Sequence, residues 1–226
     1  YLDMETAPGT GSGAGTDSSG NGNNWTESGL AAADQVDDSP TDNQSVLDAN
    51  RIDAYTLSQG NLFTNAVGDA AAIGTIPFDP QDEGGFYFEA KVKTAATYPN
   101  VGIRTLADIP TGSGMSDNTT GRYAYTGSNG QFNDEGTGVS YGDVWAGTAD
   151  KVIGVYIKAG ELFFSVDGTI QNSGTPAKTG LTGLMVPTVF YDAGSGTHAS
   201  WEMRFNSSEW STTPSGYKSI STDNLP

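Results

Sequence analysis

The strongest constraint on the fold comes from residues 151–168, KVIGVYIKAGELFFSVDG, in which two β-strand patterns stand side by side. The first run is β-branched and aromatic, a composition that packs well on a pleated sheet. A short Ala-Gly break follows, and then Leu162, Phe164 and Val166 alternate with their neighbours and point to one face. An Asp-Gly pair closes the segment and supplies the positive φ angles that a tight hairpin turn requires. We therefore expect two adjacent strands at the centre of a sheet that is buried on at least one side.

Further strand patterns are spread over the rest of the chain, and no segment shows the period of an amphipathic helix. Residues 86–92 and 199–206 alternate clearly, and residues 101–106 follow a turn as the expected partner of the first. Residues 183–192 form a strand pattern that a proline interrupts. Residues 55–63 indicate a short strand pair at an edge. Together these patterns predict an antiparallel β-sandwich.

The composition excludes several classes of partner and site. The 31 glycines and the 10% of aromatic residues fit short strands joined by many turns. The net charge of −17 repels nucleic-acid phosphates and anionic lipid, so we expect neither partner. Cysteine is absent, which removes disulfides and thiolate metal sites. No apolar run approaches the ~20 residues of a membrane span, so we expect no membrane insertion.

Residues 1–45 differ from the rest because they are rich in Gly, Ser and Asn and show no apolar period. Such a segment cannot bury enough surface to order itself alone, so we interpret it as an extension that packs on, or links to, a domain at residues 46–226. A second interpretation is a calcium-binding loop, since its side chains offer the oxygen ligands that calcium prefers, namely Asp17, Asn21, Asn23 and Asn24. Their spacing matches no calcium loop, and no metal site or other cofactor is assigned.

Several strand sequences resemble the core of a SPRY domain. In chain order the matching residues are Asp143-Val144, Val152-Ile153-Gly154-Val155, Gly160-Glu161-Leu162, Ser165-Val166-Asp167-Gly168 and Met185-Val186-Pro187-Thr188-Val189. The stretch Phe86-Tyr87-Phe88-Glu89 is similar to the family's Trp-Tyr-Phe-Glu strand, with phenylalanine in place of the tryptophan. The resemblance implies a concanavalin-like jelly roll of two antiparallel sheets.

Other stretches resemble a narrower group, the SPRY-bearing virion proteins of tailed bacteriophages. These stretches are residues 18–26, 38–43, 57–62 and 214–226. The resemblance implies a non-catalytic module on the exterior of a phage particle, whose partners are other virion proteins and a host cell-surface glycan or protein. We expect a host-facing appendage such as a tail fibre or adhesion protein. A capsid fibre or decoration protein is the alternative, and no heptad region indicates the oligomeric state, so a homo-oligomer stays open.

Aromatic residues near loops are the candidate ligand contacts. Tyrosine and tryptophan suit recognition surfaces because their rings are amphipathic and lose little rotamer entropy. The candidates for a sugar-stacking platform are Tyr98, Tyr123, Tyr125, Tyr141 and Trp145, with packing in the core or at its rim as the alternative. By the SPRY resemblance the ligand surface lies in loops at one end of the sandwich, here residues 107–121, 126–138 and 192–198. The last loop adds Asp192 and the single histidine, His198, which cannot build a zinc site alone.

Glycan hydrolysis is the third hypothesis, because enzymes with this architecture often use two carboxylates on a concave sheet. Glu89 and Glu202 are the candidate pair, each opposite the apolar face of its strand. Strand carboxylates are more often solvated or paired with a cross-strand cation, and Arg204 is at hand for such a pair. We therefore expect no enzymatic activity.

Overall fold

The computed structural model describes residue 8 and residues 13–32, 43–109, 119–191 and 197–225, except for the side chains of residues 53 and 66–69. The chain forms two compact units, Tyr1–Asp37 and Asp38–Pro226, whereas the sequence placed the boundary at residue 45. Gln44 and Ser45 pair with the C-terminal end of the larger unit. Gln44 forms a β-bridge with Ser221, and the Ser45 N–H donates to the Ile220 carbonyl at 2.8 Å.

The described part of the smaller unit is a loop closed by its own hydrogen bonds. The carboxylate of Asp17 accepts the N–H groups of Ser19 and Asn23 at 2.9 and 3.0 Å, and the Asp17 N–H donates to the Asn24 side-chain oxygen at 2.9 Å. Across the described residues, no three acidic, histidine or cysteine side chains lie together as a metal site would require. The structure thus gives Asp17 and Asn24 a loop-closing role, and calcium binding stays a prediction.

The larger unit is built from strands joined by turns and short 3-10 segments. Within the described residues the strands are β1 Leu47–Ser58, β2 Phe63–Gly74, β3 Phe86–Val92, β4 Pro99–Thr105, β5 Arg122–Thr126, β6 Gln131–Asp134, β7 Thr137–Ser140, β8 Val152–Lys158, β9 Glu161–Val166, β10 Thr169–Ile170, β11 Met185–Tyr191 and β12 Ser200–Arg204. In this part of the chain no helix has the length and apolar character needed to cross a bilayer.

All strand pairs are antiparallel, and they form two leaves that share the β1–β2 hairpin. The path runs β10-β9-β8-β3-β12-β2-β11-β4-β5-β6-β7, with β1 beside β2. The start of β2 pairs with β12 through Phe63–Asn65, and its end pairs with β11 through Ala70–Ile73. We call the β10-to-β12 side leaf A and the β11-to-β7 side leaf B. The predicted antiparallel β-sandwich is confirmed.

The predicted central hairpin is β8–β9, and it is buried as expected. Ile157 pairs with Leu162 and Val155 with Phe164, and all four side chains are fully buried. The turn from β9 to β10 has positive φ angles at Asp167 and Gly168, 47° and 79°, as the Asp-Gly signal predicted. Glycine suits this turn because it adopts a positive φ without steric cost.

Two sequence interpretations need correction at the level of strands. The pair expected at residues 55–63 is a hairpin of two 12-residue strands, β1 and β2, with a bulge where Ala54 has a φ of 52°. The segment 126–138, expected to be a loop, contains β6 and the start of β7. The full lengths of β1 and β2 and the strand β7 were missed because their sequences are rich in small and polar residues and show little apolar alternation.

A C-terminal segment, residues 206–225, covers the outer face of leaf A, and we call it the strap. Trp210 packs edge-on against Tyr87 with ring centroids 4.8 Å apart, and Tyr217 packs edge-on against Tyr156 at 5.4 Å. Lys218 pairs with the start of β3 through backbone hydrogen bonds at 3.0 and 3.2 Å. Leaf A is therefore buried on both faces along β3 and β8.

Candidate functional site

Three of the predicted stacking residues lie in the core. The exposed fractions of Tyr125, Tyr141 and Trp145 are 0%, 6% and 2%. Alternation along β5 turns Tyr125 toward leaf A, where its ring centroid lies 5.4 Å from that of Phe164 and 5.8 Å from that of Trp145. A sugar cannot stack on these rings, so the prediction of an exposed platform is wrong for these three residues.

The hydroxyl groups of Tyr125 and Tyr141 hold the chain that precedes β8 in place through hydrogen bonds. The Tyr141 hydroxyl accepts the Phe164 N–H at 3.2 Å, and the Tyr125 hydroxyl donates to the Asp143 carbonyl. Burial raises the pKa of Tyr125 and Tyr141 above the usual value for tyrosine, so both stay neutral. Their role is to fix the chain between β7 and β8 onto the core.

The remaining predicted residues do not come together as one site. Tyr123 is half-buried on β5, beneath the ammonium group of Lys178, which lies 5.1 Å from the ring centroid and contacts the Asp134 carboxylate at 2.7 and 2.9 Å. His198 is half-buried, with its ring 4.9 Å from that of Tyr191. Asp192 lies outside the described residues. A ligand-binding role for Tyr123, Asp192 and His198 stays a prediction.

Loops at one end of the sandwich form an open groove of about 520 Å³, which we call the end groove. Its walls come from the β3–β4 loop, the β5–β6 turn, the β7–β8 loop and the β11–β12 loop. The lining residues are Ala95, Ala96, Thr97, Tyr98, Ser128, Val144, Ala146, Gly147 and Thr197. Of the predicted stacking residues only Tyr98 lines it, and it is 39% exposed.

Backbone hydrogen bonds tie these loops to one another. The Thr97 N–H donates to the Thr197 carbonyl at 3.2 Å, and the Gly147 N–H donates to the Ala96 carbonyl at 2.8 Å. The N–H groups of Trp145 and Ala146 both donate to the Gly127 carbonyl, at 3.1 and 3.0 Å. The groove is thus held in shape without a ligand, which lowers the ordering cost of binding.

Trp145 supports the end groove from below. A Cβ atom added to Gly127 would come within 2.9 Å of the Trp145 ring, so the turn rests directly on the indole. The indole itself packs against Trp201 of leaf A, with centroids 6.1 Å apart. Trp145 was predicted as a ligand contact, and the structure makes it a positioning residue for the groove.

The described lining of the groove is neutral. None of the described residues that line it is charged, and the alanines, Gly147 and Val144 provide apolar surface, with Val144 62% exposed. The Tyr98 ring adds an aromatic wall, and Thr97, Ser128 and Thr197 add hydroxyl groups. This combination suits a neutral ligand that presents an apolar face and a few hydroxyl or amide groups. Sequence reasoning missed residues 95–97 and Val144 because short alanine and valine segments carry no local signal of binding.

The candidate catalytic carboxylates belong to an ion-pair network beneath the strap. Glu89 is fully buried and accepts the N–H groups of Ser211 and Thr212 at 2.8 and 2.9 Å and the Tyr87 hydroxyl at 2.9 Å. Arg204 lies 3.3 Å from Glu89 and 2.7 Å from Glu202, so it bridges the two acids. The oxygens of Glu89 are occupied by these donors and shielded from substrate.

The charged state of Glu202 is favoured by its neighbours. Burial raises the pKa of a carboxyl group, but the hydrogen bonds and positive charges of Arg204 and Lys93 outweigh it, so the pKa of Glu202 lies below its usual value. Glu202 remains ionised and pairs with Arg204 along β12, while Arg204 also pairs across the strands with Glu89.

Comparison with known proteins gives a fold. No family model matches the chain, and no curated protein matches its sequence. The SPRY domain of human HERC1 superimposes with a TM-score of 0.50 at 10% identity, covering 70% of this chain and 96% of that chain. Stonustoxin superimposes with a TM-score of 0.53 at 16% identity, covering 71% of this chain and 27% of that chain. At such identities the likeness shows the fold alone: the chain is a SPRY-type, concanavalin-like β-sandwich.

Proposed function

We propose that the sandwich is a non-catalytic recognition module that binds a neutral ligand in the end groove. The observation that carries the proposal is the groove itself, about 520 Å³ in volume, formed by four loops and lined by uncharged side chains around Tyr98. Its loops are tied by backbone hydrogen bonds and rest on buried Trp145. Pockets of this size with apolar walls and few polar groups are typical of ligand sites.

The ligand class that fits is an uncharged cell-surface glycan or a protein segment without acidic side chains. A sugar ring can pack its C–H face on Tyr98 while its hydroxyls pair with Thr97, Ser128 or Thr197. The net charge of −17 disfavours an anionic ligand, because the whole molecule repels it during approach. The neutral lining then confers selectivity for uncharged groups.

We further propose that the module is displayed on the exterior of a bacteriophage particle, on a host-facing appendage such as a tail fibre. The support is the resemblance of residues 18–26, 38–43, 57–62 and 214–226 to phage virion proteins. The partners are then other virion proteins and a host surface component. A capsid decoration protein would share these sequence features, so location within the particle distinguishes the two roles.

Substitutions in the end groove test the binding proposal. Tyr98→Ala removes the exposed ring, and Val144→Lys places a charge on the neutral wall, so each should weaken binding to host cells by at least about tenfold. Leu184→Ala is the matched control, since Leu184 is 49% exposed and does not line the groove. Binding of fluorescently labelled protein to host cells and to a glycan array gives the affinities. Leu184→Ala should bind as the wild type does, and groove variants that also bind as tightly as the wild type would contradict the proposal.

Location is tested on purified particles. A reconstruction of the whole particle should place the sandwich at the outside of a tail appendage. Density for it on the capsid shell would replace the tail role with decoration, and its absence from particles would end the virion proposal. The groove experiment uses purified protein, so the two results are independent.

A further inference from the structure

We propose that the free edge of β7 accepts an extended, basic segment of a partner protein as an additional strand. The β7 edge is separate from the end groove, so strand addition there does not depend on the proposed function.

Two of the three edges in the described sheet are protected, and β7 is not. β1 is interrupted by bulges and carries Asp48 and Arg51, and β10 is only two residues long. β7 pairs with β6 in continuous register over all four of its residues, and its sequence, TGVS, has neither charge nor proline. All four residues are exposed, with Val139 at 52%. Native sheets usually block such edges because they invite another strand.

The register shows which backbone groups of β7 face outward. The Glu135 N–H donates to the Arg122 carbonyl at 3.0 Å, so the backbone groups of Asn133 and Gln131 face β5 and those of Asp134 and Phe132 face β7. Val139, the partner of Phe132, therefore faces β6, while Gly138 and Ser140 face away. Each of these outward residues presents one N–H and one carbonyl. These outward groups are spaced as the hydrogen-bonding groups of a neighbouring strand require, so an extended peptide can add to this edge by β-augmentation.

The charges around the edge identify the partner's chemistry. Asp134, Glu135 and Asp143 flank β7 in the sequence, and among them Asp134 is paired with Lys178 at 2.7 Å. The surroundings are therefore negative, as is the whole chain at −17. A second copy would bring the same negative charges to the edge and be repelled, whereas an extended segment rich in lysine gains favourable contacts.

The test uses a labelled peptide, acetyl-KVTVKVTK-amide, and measures its binding to the intact protein by fluorescence anisotropy. Ser140→Pro removes an outward N–H that the β6 ladder does not use, so the sheet is kept and peptide binding should fall at least about tenfold. Ser140→Ala keeps the N–H and is the matched control, with affinity unchanged within about twofold. An acidic peptide, acetyl-EVTVEVTE-amide, should bind at least about tenfold more weakly than the basic one.

A methylated peptide tests the same edge in the wild-type protein, without the need for Ser140→Pro to fold. The basic peptide, N-methylated at its four central residues, cannot donate along either edge and should lose binding to the wild-type protein. Equal binding of the methylated and unmethylated peptides would overturn the proposal, as would equal binding of the acidic peptide or no binding of the basic one. A wild-type dimer that Ser140→Pro converts to monomer would also overturn it, by making a second copy the occupant.

Discussion

At the scale of single residues, Glu89 shows how far alternation can guide interpretation. Its position opposite the apolar face of β3 and its pairing with Arg204 were expected from the strand pattern. Its complete burial was not, because the donors that cover it come from Ser211 and Thr212, more than a hundred positions later. A buried carboxylate of this kind is costly unless it is saturated with donors, and the strap supplies them.

Replacing Glu89 should therefore destabilise the fold without affecting ligand binding. Glu89→Ala leaves two backbone N–H groups without their acceptor and removes one of the two carboxylates that pair with Arg204, and the expected cost is about 3–5 kcal/mol of unfolding free energy. Urea denaturation monitored by tryptophan fluorescence measures it. Glu83→Gln is the control, because Glu83 is exposed and its substitution should change stability by no more than about 0.5 kcal/mol.

A different outcome would restore the enzymatic hypothesis. If Glu89→Gln kept the stability of the wild type and abolished cleavage of a bacterial polysaccharide by the purified protein, Glu89 would be a catalytic residue. The hydrogen bonds from the strap make a stability loss the expected result, since an amide group cannot accept at both of its heavy atoms.

The aromatic residues mark the limit of sequence reasoning about the site. Tyr123 and Tyr125 are two positions apart on β5 and share a face, yet only Tyr125 is enclosed by Phe132 and Phe164. Loop proximity in sequence could not separate core rings from surface rings, because burial depends on how the two leaves meet. Tyr98 is the predicted residue that the structure places in the groove, and its small neighbours carry no recognisable pattern.

At the scale of elements, strands with strong alternation were predictable and the strand that joins the leaves was not. The patterns of β3, β8, β9 and β12 are apolar on at least one face, and each was expected. β2 contains an alanine run that favours helix over strand in isolation. Pairing with β12 at one end and β11 at the other overrides that preference, so tertiary context decides the conformation.

The strap should be an autonomous element whose attachment depends on Trp210. Trp210 is 9% exposed, packs on Tyr87 and donates its indole N–H to the Arg204 carbonyl at 3.2 Å. Trp210→Ala removes these contacts and should lower the unfolding free energy by about 3 kcal/mol. Hydrogen exchange should accelerate in residues 206–217 while the β8–β9 hairpin stays protected.

Trp25→Ala is the matched control for this prediction, because the Trp25 side chain is 70% exposed and its loss should leave stability nearly unchanged. Uniform acceleration of exchange over the whole sheet in Trp210→Ala would show instead that the strap and the sandwich unfold as one cooperative unit.

At the scale of the whole molecule, charge sets how stability responds to pH. With 27 acidic and 10 basic residues the chain has a sequence pI of about 4.1, so lowering the pH from 7 first relieves self-repulsion. Specific ion pairs act in the opposite direction. A hydrogen bond from Lys218 holds the pKa of Asp82 below its usual value. The pKa of Glu202 is also below its usual value, because its contacts with Arg204 and Lys93 outweigh the effect of burial.

These two terms predict a stability maximum on the acid side of neutrality. A carboxyl group with a depressed pKa in the folded state contributes stability that is fully present above its unfolded pKa, about 4, and is lost as the pH falls through the folded pKa. The unfolding free energy should therefore hold or rise from about pH 7 to about pH 5 and fall below about pH 4. Net repulsion is smallest near the pI and returns as positive charge below it, so a comparison of variants is needed to isolate the contribution of the ion pairs. The double variant Asp82→Asn/Glu202→Gln should lose less stability between about pH 5 and about pH 3 than the wild type in urea denaturation. An acid slope equal to that of the wild type would assign the loss to other carboxylates, because Asp82 and Glu202 would then bind protons equally in the folded and unfolded states.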